Sequence, residues 1–204
     1  MRQIAGIGAC LLFMLPLRTE QTGTPLQDAF SKSYTAEASG KYDDAIKALS
    51  SVCDDGSYEC SLRLGWLSYE AKDYVKSIAY YQKAIDAKPY AIEARFGIVK
   101  PESALLKWDD VLGQYMEILK IDPQNTKANY WTGCIYYNRK DYKKAISYFE
   151  KVVNLYPFDY DSSIMLGWSY LNDGRSSDAK VMFGKVLLIS PGDTSATGGL
   201  KKLN

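Results

Sequence analysis

Four of the seven prolines, Pro89, Pro123, Pro157 and Pro191, stand 34 residues apart each time. A chain that repeats at a fixed spacing of this size stacks copies of one small unit, because no copy buries its apolar face alone. With each proline at position 32, units begin at Tyr58, Ile92, Thr126 and Tyr160, and the rest of the chain falls into register. Position 8 holds Gly65, Gly133 and Gly167, with Val99 as the exception; position 24 holds Tyr81, Tyr115, Phe149 and Phe183. Glycine at position 8 permits near contact of two backbones, and the small residues of position 20 are set against the large ones of position 24. Position 20 (Ser77, Val111, Ala145, Ala179) and position 27 (Ala84, Ile118, Val152, Val186) complete one apolar stripe at helical spacing.

An imperfect unit precedes these. Gly40-Lys41-Tyr42 followed by Asp43, Asp44 and Ala45 parallels Lys140-Asp141-Tyr142 followed by Lys143, Lys144 and Ala145. This sets a first unit at residues 26–57, with Ser57 where the others carry proline. The further units are 58–91, 92–125, 126–159 and 160–193. Each reads as helix A, a turn near positions 14 to 16, helix B and a proline-marked stop, giving ten helices and no strands. Residues 194–204, with Leu200 and Leu203 apolar and Lys201 and Lys202 polar, form an eleventh helix that caps the stack. Pro101 falls inside a helix A; a regular helix there would lose about 3 kcal/mol, so a shortened or irregular one is expected between Ala94 and Leu106.

The pattern resembles the tetratricopeptide repeat: an apolar residue and glycine in helix A, alanine and an aromatic in helix B, proline at the end. Residues 126–159 carry it most fully, through Gly133, Tyr136, Tyr142, Ala145, Phe149 and Pro157. The resemblance covers about residues 26–193. It implies an all-α, right-handed superhelical solenoid of about five helix-turn-helix repeats plus a short C-terminal capping helix. It also implies a non-enzymatic scaffold that holds a peptide or helix in a concave groove, without naming the partner. In the family, positions 2, 5, 9, 12 and 13 of helix A look into the groove. Here position 5 gives Phe30, Leu62, Phe96, Tyr130 and Ile164; position 9 gives Tyr34, Trp66, Lys100, Cys134 and Trp168; position 12 gives Glu37, Tyr69, Ser103, Tyr137 and Leu171. Large rings are typical binding anchors, so Trp66, Tyr69, Phe96, Tyr130, Tyr137 and Trp168 are the candidate partner-binding residues. The alternative for each ring is packing between helices. Family members that clamp a terminal carboxylate do so with Lys, Asn and Arg at groove positions; position 9 offers only Lys100, and such a clamp is not expected. The polar remainder, Glu59, Glu70, Glu93, Lys127, Asn138, Asp161 and Asn172, leans acidic and would suit a basic flank on a partner.

Composition narrows the function classes. Twenty-five basic against 24 acidic residues leave a formal charge of +1, with no field to gather nucleic acid. Histidine is absent, and with it the usual general base and the commonest metal ligand. No phosphate-binding loop, dinucleotide fingerprint or nucleophile elbow is present. No catalytic residue, metal site or cofactor is expected. Asp43-Asp44 and Asp109-Asp110 fall early in helix B, where negative charge complements the helix dipole.

Residues 4–17, IAGIGACLLFMLPL, are uncharged and follow Met1 and Arg2. Fourteen residues fall short of the roughly 20 needed to span a bilayer, and the stretch resembles a secretory signal. Residues 1–23 are therefore read as a signal peptide or N-terminal hydrophobic segment, and 24–204 as the repeat domain. Ile7-Gly8-Ala9-Cys10 resembles a lipoprotein cleavage box, although most of the apolar run follows the cysteine. Cys53 closes one helix and Cys60 opens the next, so the pair forms a disulfide in an exported protein or two buried thiols otherwise. The expected protein is an exported adaptor, periplasmic or otherwise in the cell envelope, that binds another protein. The alternatives are a groove for a small molecule or glycan, and a cytoplasmic chain touching the membrane only through an uncleaved N-terminal segment.

Overall fold

A computed structural model describes residues 23–203. These residues form eleven α-helices and no strand: α1 (Pro25–Ala38), α2 (Tyr42–Ser50), α3 (Tyr58–Glu70), α4 (Tyr74–Ala87), α5 (Ile92–Ala104), α6 (Trp108–Ile121), α7 (Thr126–Asn138), α8 (Tyr142–Leu155), α9 (Tyr160–Asn172), α10 (Ser176–Ile189) and α11 (Thr194–Lys201). Consecutive helices pack in pairs from α1·α2 to α9·α10, and α11 closes the stack against α9 and α10. The apolar leader and the Cys10 box lie outside the described residues.

Side chains mark where helices begin. Thr24 and Gln27 bond each other's backbone N–H reciprocally, with Pro25 in the first turn. Ser57, Asp73, Asn125, Asp141, Asp159 and Asp193 each accept a bond from the N–H three residues on. Asp43, Asp44, Asp109 and Asp110 lie in the first turns of α2 and α6, whose caps, Lys41 and Lys107, make no side-chain bond. Their charge meets the partial positive end of the helix instead.

The turn inside every pair has one form. Position 15 is left-handed throughout: Gly40 (φ 69°), Lys72 (62°), Leu106 (58°), Lys140 (60°) and Gly174 (81°). Helix B ends two residues before its proline. Lys88, Asp122, Tyr156 and Ser190 have φ between −137° and −126° and ψ between 78° and 88°, because the proline ring excludes the helical conformation from the residue before it.

The core rests on a small-against-large pairing of positions 8 and 24. A Cβ on Gly65 would meet Tyr81 Cγ at 2.9 Å, one on Gly133 Phe149 Cε1 at 2.8 Å, and one on Gly167 Phe183 Cε1 at 2.8 Å. Tyr81, Phe149 and Phe183 are buried, as are Ala84, Val152 and Val186 one turn along. Two of these rings also reach the next pair: Cβ atoms on Gly97 and Gly199 would lie 2.2 Å and 2.3 Å from the rings of Tyr81 and Phe183. Position 6 of the following unit is thus a second receptor for the ring.

The structure corrects one expectation. α5 is neither shortened nor broken at Pro101; it runs 13 residues, the same as α3, α7 and α9. Proline still forfeits one backbone bond there. Ala94, Ile98, Val99, Pro101 and Glu102 are all buried, so tertiary packing of one helix face outweighs the local loss.

Cys53 and Cys60 form a disulfide, with Cα atoms 5.9 Å apart. It spans the link from α2 to α3, where α2 has nine residues against 14 in α4, α6, α8 and α10. The bond closes the one junction that has no proline stop.

Candidate functional site

Three pairs of successive A helices pack directly on one another. α3 meets α5, α7 meets α9, and α9 meets α11. These contacts put the A helices on the inner side of the stack. Between α5 and α7, where position 6 is Trp131, and between α1 and α3 the helices do not pack closely. A depression of about 530 Å³ opens between α5 and α7, walled by Phe96, Val99, Lys100 and Ser103 of α5 and by Lys127, Trp131 and Ile135 of α7, over Trp108, Val111 and Tyr115 of α6.

A second depression, about 500 Å³, adjoins it toward the N-terminus and is lined by Tyr34, Leu62, Arg63, Trp66 and Glu93 among others. The two share Phe96, Lys100 and Lys127, which form the saddle between them. The Lys100 ammonium sits 4.2 Å from the Trp66 ring centre and 5.6 Å from that of Tyr69; Lys127 lies 4.5 Å from Phe96. Such contacts hold a cation on an aromatic face while leaving its charge uncompensated. Among the described residues neither lysine forms an ion pair.

The wall behind Trp66 is fixed by charge. Glu37 accepts hydrogen bonds from Trp66 Nε1 and from the buried Arg63 guanidinium, which also stacks 3.9 Å from the Tyr34 ring centre and donates to Ser33 Oγ at 3.3 Å. Desolvation opposes charge on Glu37, but the bonds from Arg63 and Trp66 and the charge of Arg63 outweigh it and hold the carboxyl below its ordinary value. The acidic lean expected of the groove does not materialise at the α5–α7 opening, which has two lysines and no carboxylate among its lining residues. Glu59 and Glu93 line the neighbouring depression and are engaged there: Glu59 accepts from Lys88 at 2.7 Å and Glu93 from Tyr58 Oη at 3.2 Å. Burial, with Glu93 beside it, pushes the Tyr58 hydroxyl up to about 12.

The six aromatic candidates divide. Trp66, Tyr69 and Phe96 line the two depressions. Tyr130, Tyr137 and Trp168 pack against the C-terminal core around Phe149 and Phe183. Trp168 lies edge-on to Phe183 with centroids 5.2 Å apart and donates Nε1–H to Ser195 Oγ at 2.9 Å, with Lys202 over its ring at 5.0 Å. Tyr130 lies edge-on to Phe149 at 5.9 Å, and Tyr137 pairs with Tyr142 and accepts from Asn172 Nδ2. Sequence reasoning missed Trp108 and Trp131, which are 47% and 46% exposed. Together with Cys134, Ile135, Asn138 and Arg139 they line a further hollow of about 420 Å³. A signal for Trp108 was present: position 17 is aromatic in four units (Tyr42, Tyr74, Trp108, Tyr142). Tyr74 and Tyr142 pair with Tyr69 and Tyr137 at position 12, but Trp108 faces Ser103 in that register and has no ring to cover it.

Among the described residues no cluster of Cys, Asp or Glu could hold a metal ion, and no helix is long and apolar enough to cross a membrane. Stacked helix pairs with an indented inner face define an α-helical repeat solenoid. Two tetratricopeptide-repeat family models match residues 31–92 and 126–159. Over these two stretches the chain carries tetratricopeptide repeats, which generally serve in protein-interaction scaffolds. Neither matched range includes 93–125, the stretch that carries Val99 and Pro101.

Solved structures agree on the fold. A MamA protein superposes with a TM-score of 0.71 at 19% identity, covering 81% of this chain and 91% of that one. A tetratricopeptide repeat protein from Parabacteroides merdae gives 0.74 at 17% identity, covering 89% and 73%. MamA from Desulfovibrio magneticus gives 0.69 at 17%, covering 84% and 98%. Among curated proteins, the RNA polymerase-associated protein CTR9 of Caenorhabditis elegans is 27% identical over 110 residues, 53% of this chain and 10% of that protein. Superkiller protein 3 of Schizosaccharomyces pombe is 25% identical over 160 residues, 74% of this chain and 12% of that one. The chain thus spans about a tenth of the length of these curated relatives.

Proposed function

We propose that the protein is a non-enzymatic adaptor of the cell envelope that binds a segment of another protein along its inner face, centred between α5 and α7. The observation that carries this is the opening itself. Trp131 lines the gap between α5 and α7, two helices that do not pack closely, and it stands half exposed beside Trp108. Half-exposed tryptophans at the rim of an apolar depression are the usual anchors of protein recognition. The envelope placement rests on the apolar run at 4–17 and on the Cys53–Cys60 disulfide, a bond that persists in oxidising compartments.

A photo-crosslinking amino acid placed at Trp131, and separately at the outward-facing Val181 (69% exposed), tests the reading in cells. A discrete protein adduct at position 131 and none at 181 is the expected outcome. Adducts of equal pattern at both sites, or none at either, would move the partner off this face. A second reading, a small molecule or glycan, is favoured by the tryptophan-walled hollow of about 420 Å³ with Asn138 and Arg139 beside the rings. A shift of tryptophan emission on adding oligosaccharides to the pure protein would select it.

A further inference from the structure

We infer that the segment taken up by this face is acidic, presenting side-chain carboxylates to Lys100 and Lys127 and a large apolar residue to Trp108 and Trp131. The inference rests on the protein-binding reading above and adds the partner's chemistry to it. The opening between α5 and α7 is lined by two lysines and no carboxylate. In a chain whose charges nearly cancel, 25 against 24, that is a local excess. Among the described residues neither lysine has an acidic partner, unlike Lys76 with Asp73, Lys83 with Asp55, Lys88 with Glu59 and Lys144 with Asp141. Lys100 and Lys127 rest instead on the faces of Trp66 and Phe96, which strip part of the water from each ammonium without neutralising it. A carboxylate brought to the α5–α7 opening meets a charge already positioned on an aromatic face, whereas a basic segment there meets two like charges and no lining carboxylate. Arg63 contributes no further free charge, since Glu37 holds it. The carboxylates belong to side chains because the depressions run into each other across Phe96, Lys100 and Lys127. A segment lying there crosses the lysines and continues.

The test is selection of random peptides of about twelve residues, displayed on phage with their C-termini fused, against the immobilised full chain. Parallel selections use Lys100→Gln/Lys127→Gln and Trp108→Ala/Trp131→Ala, all checked for helicity by circular dichroism. The expected result is recovery of peptides rich in Asp and Glu beside a large apolar residue. Their affinity should fall about tenfold in the lysine variant, as for two partly exposed ion pairs, and the acidic bias should vanish from peptides selected on that variant. Peptides that need Trp108 and Trp131 but show no acidic bias, or bind the lysine variant unchanged, would overturn the inference and leave the binding face standing. No recovery above the bare support would overturn both. Fusion removes the free terminal carboxylate, so a face that takes only chain ends gives no acidic bias and counts against the inference.

Discussion

The ring of Tyr81 lies against Gly97 of the next helix pair so closely that a Cβ there would sit 2.2 Å from Cε1. Tyr81 is buried and is pressed from the other side by Gly65, so it has no room to yield. Gly97→Ala should therefore lower stability by about 1–3 kcal/mol, the usual range for overpacking. Gly113 offers the control: it lies inside α6 with nothing within 4 Å of a Cβ, and Gly113→Ala should raise stability by about 0.5–1 kcal/mol. Urea unfolding followed by circular dichroism reads both, and shifts of the same sign would refute the clamp.

The left-handed residue in the A–B turns gives a second contrast. Leu106 has φ 58° and is 72% exposed, so its side chain gains little from burial while its backbone bears a strain of roughly 1–2 kcal/mol. Leu106→Gly should raise the unfolding midpoint, and Gly174→Ala at the equivalent position should lower it by about 1 kcal/mol. An unchanged midpoint in both variants would show that the turn is not held in this conformation in solution.

Much of this architecture was legible because spacing carried it. A ring 16 positions after a glycine, repeated in units that each end at a proline, leaves few arrangements other than paired helices. Position 15 was only half legible, since Gly40 and Gly174 mark it and Lys72, Leu106 and Lys140 do not. Pro101 misled because local preference is a weak guide where a helix face is buried. Trp108 and Trp131 were missed for a different reason. The family's groove positions are 2, 5, 9, 12 and 13 of helix A, whereas Trp131 stands at position 6 and Trp108 at position 17, in helix B. Three of the candidate rings, Tyr130, Tyr137 and Trp168, occupy groove positions in register but are claimed by neighbours in the C-terminal core.

Cys53 and Cys60 enclose a short loop, for which chain entropy gives about 2 kcal/mol of stabilisation. Reduction, or Cys53→Ser/Cys60→Ser, should lower the stability of the N-terminal pairs by that order and shift one alkylation-sensitive band on a gel. Cys134 should stay unlabelled at neutral pH in the folded chain, because burial raises its thiol to about 11. Labelling of Cys53 and Cys60 in the unreduced protein would overturn the bond.

Glu102 makes stability depend on pH in a direction unusual for a carboxylate. It is 4% exposed, accepts one long bond from Gln114 Nε2 at 3.4 Å, and its other oxygen has no partner. Desolvation raises it to about 7 against an ordinary 4.5; the Gln114 bond opposes the shift, Asp110 adds to it and Lys107 lowers it. Between these two values the folded chain keeps a proton that the unfolded chain has lost. This group's contribution to stability is therefore greatest below about pH 4.5, falls as pH rises through 7, and is flat above. The whole excursion is about 3 kcal/mol. Glu102→Gln removes the charge and keeps the shape. The variant should match the parent near pH 4.5 and exceed it in unfolding midpoint at pH 8, with the difference growing between. A difference that is constant across that range would show that Glu102 titrates alike in both states.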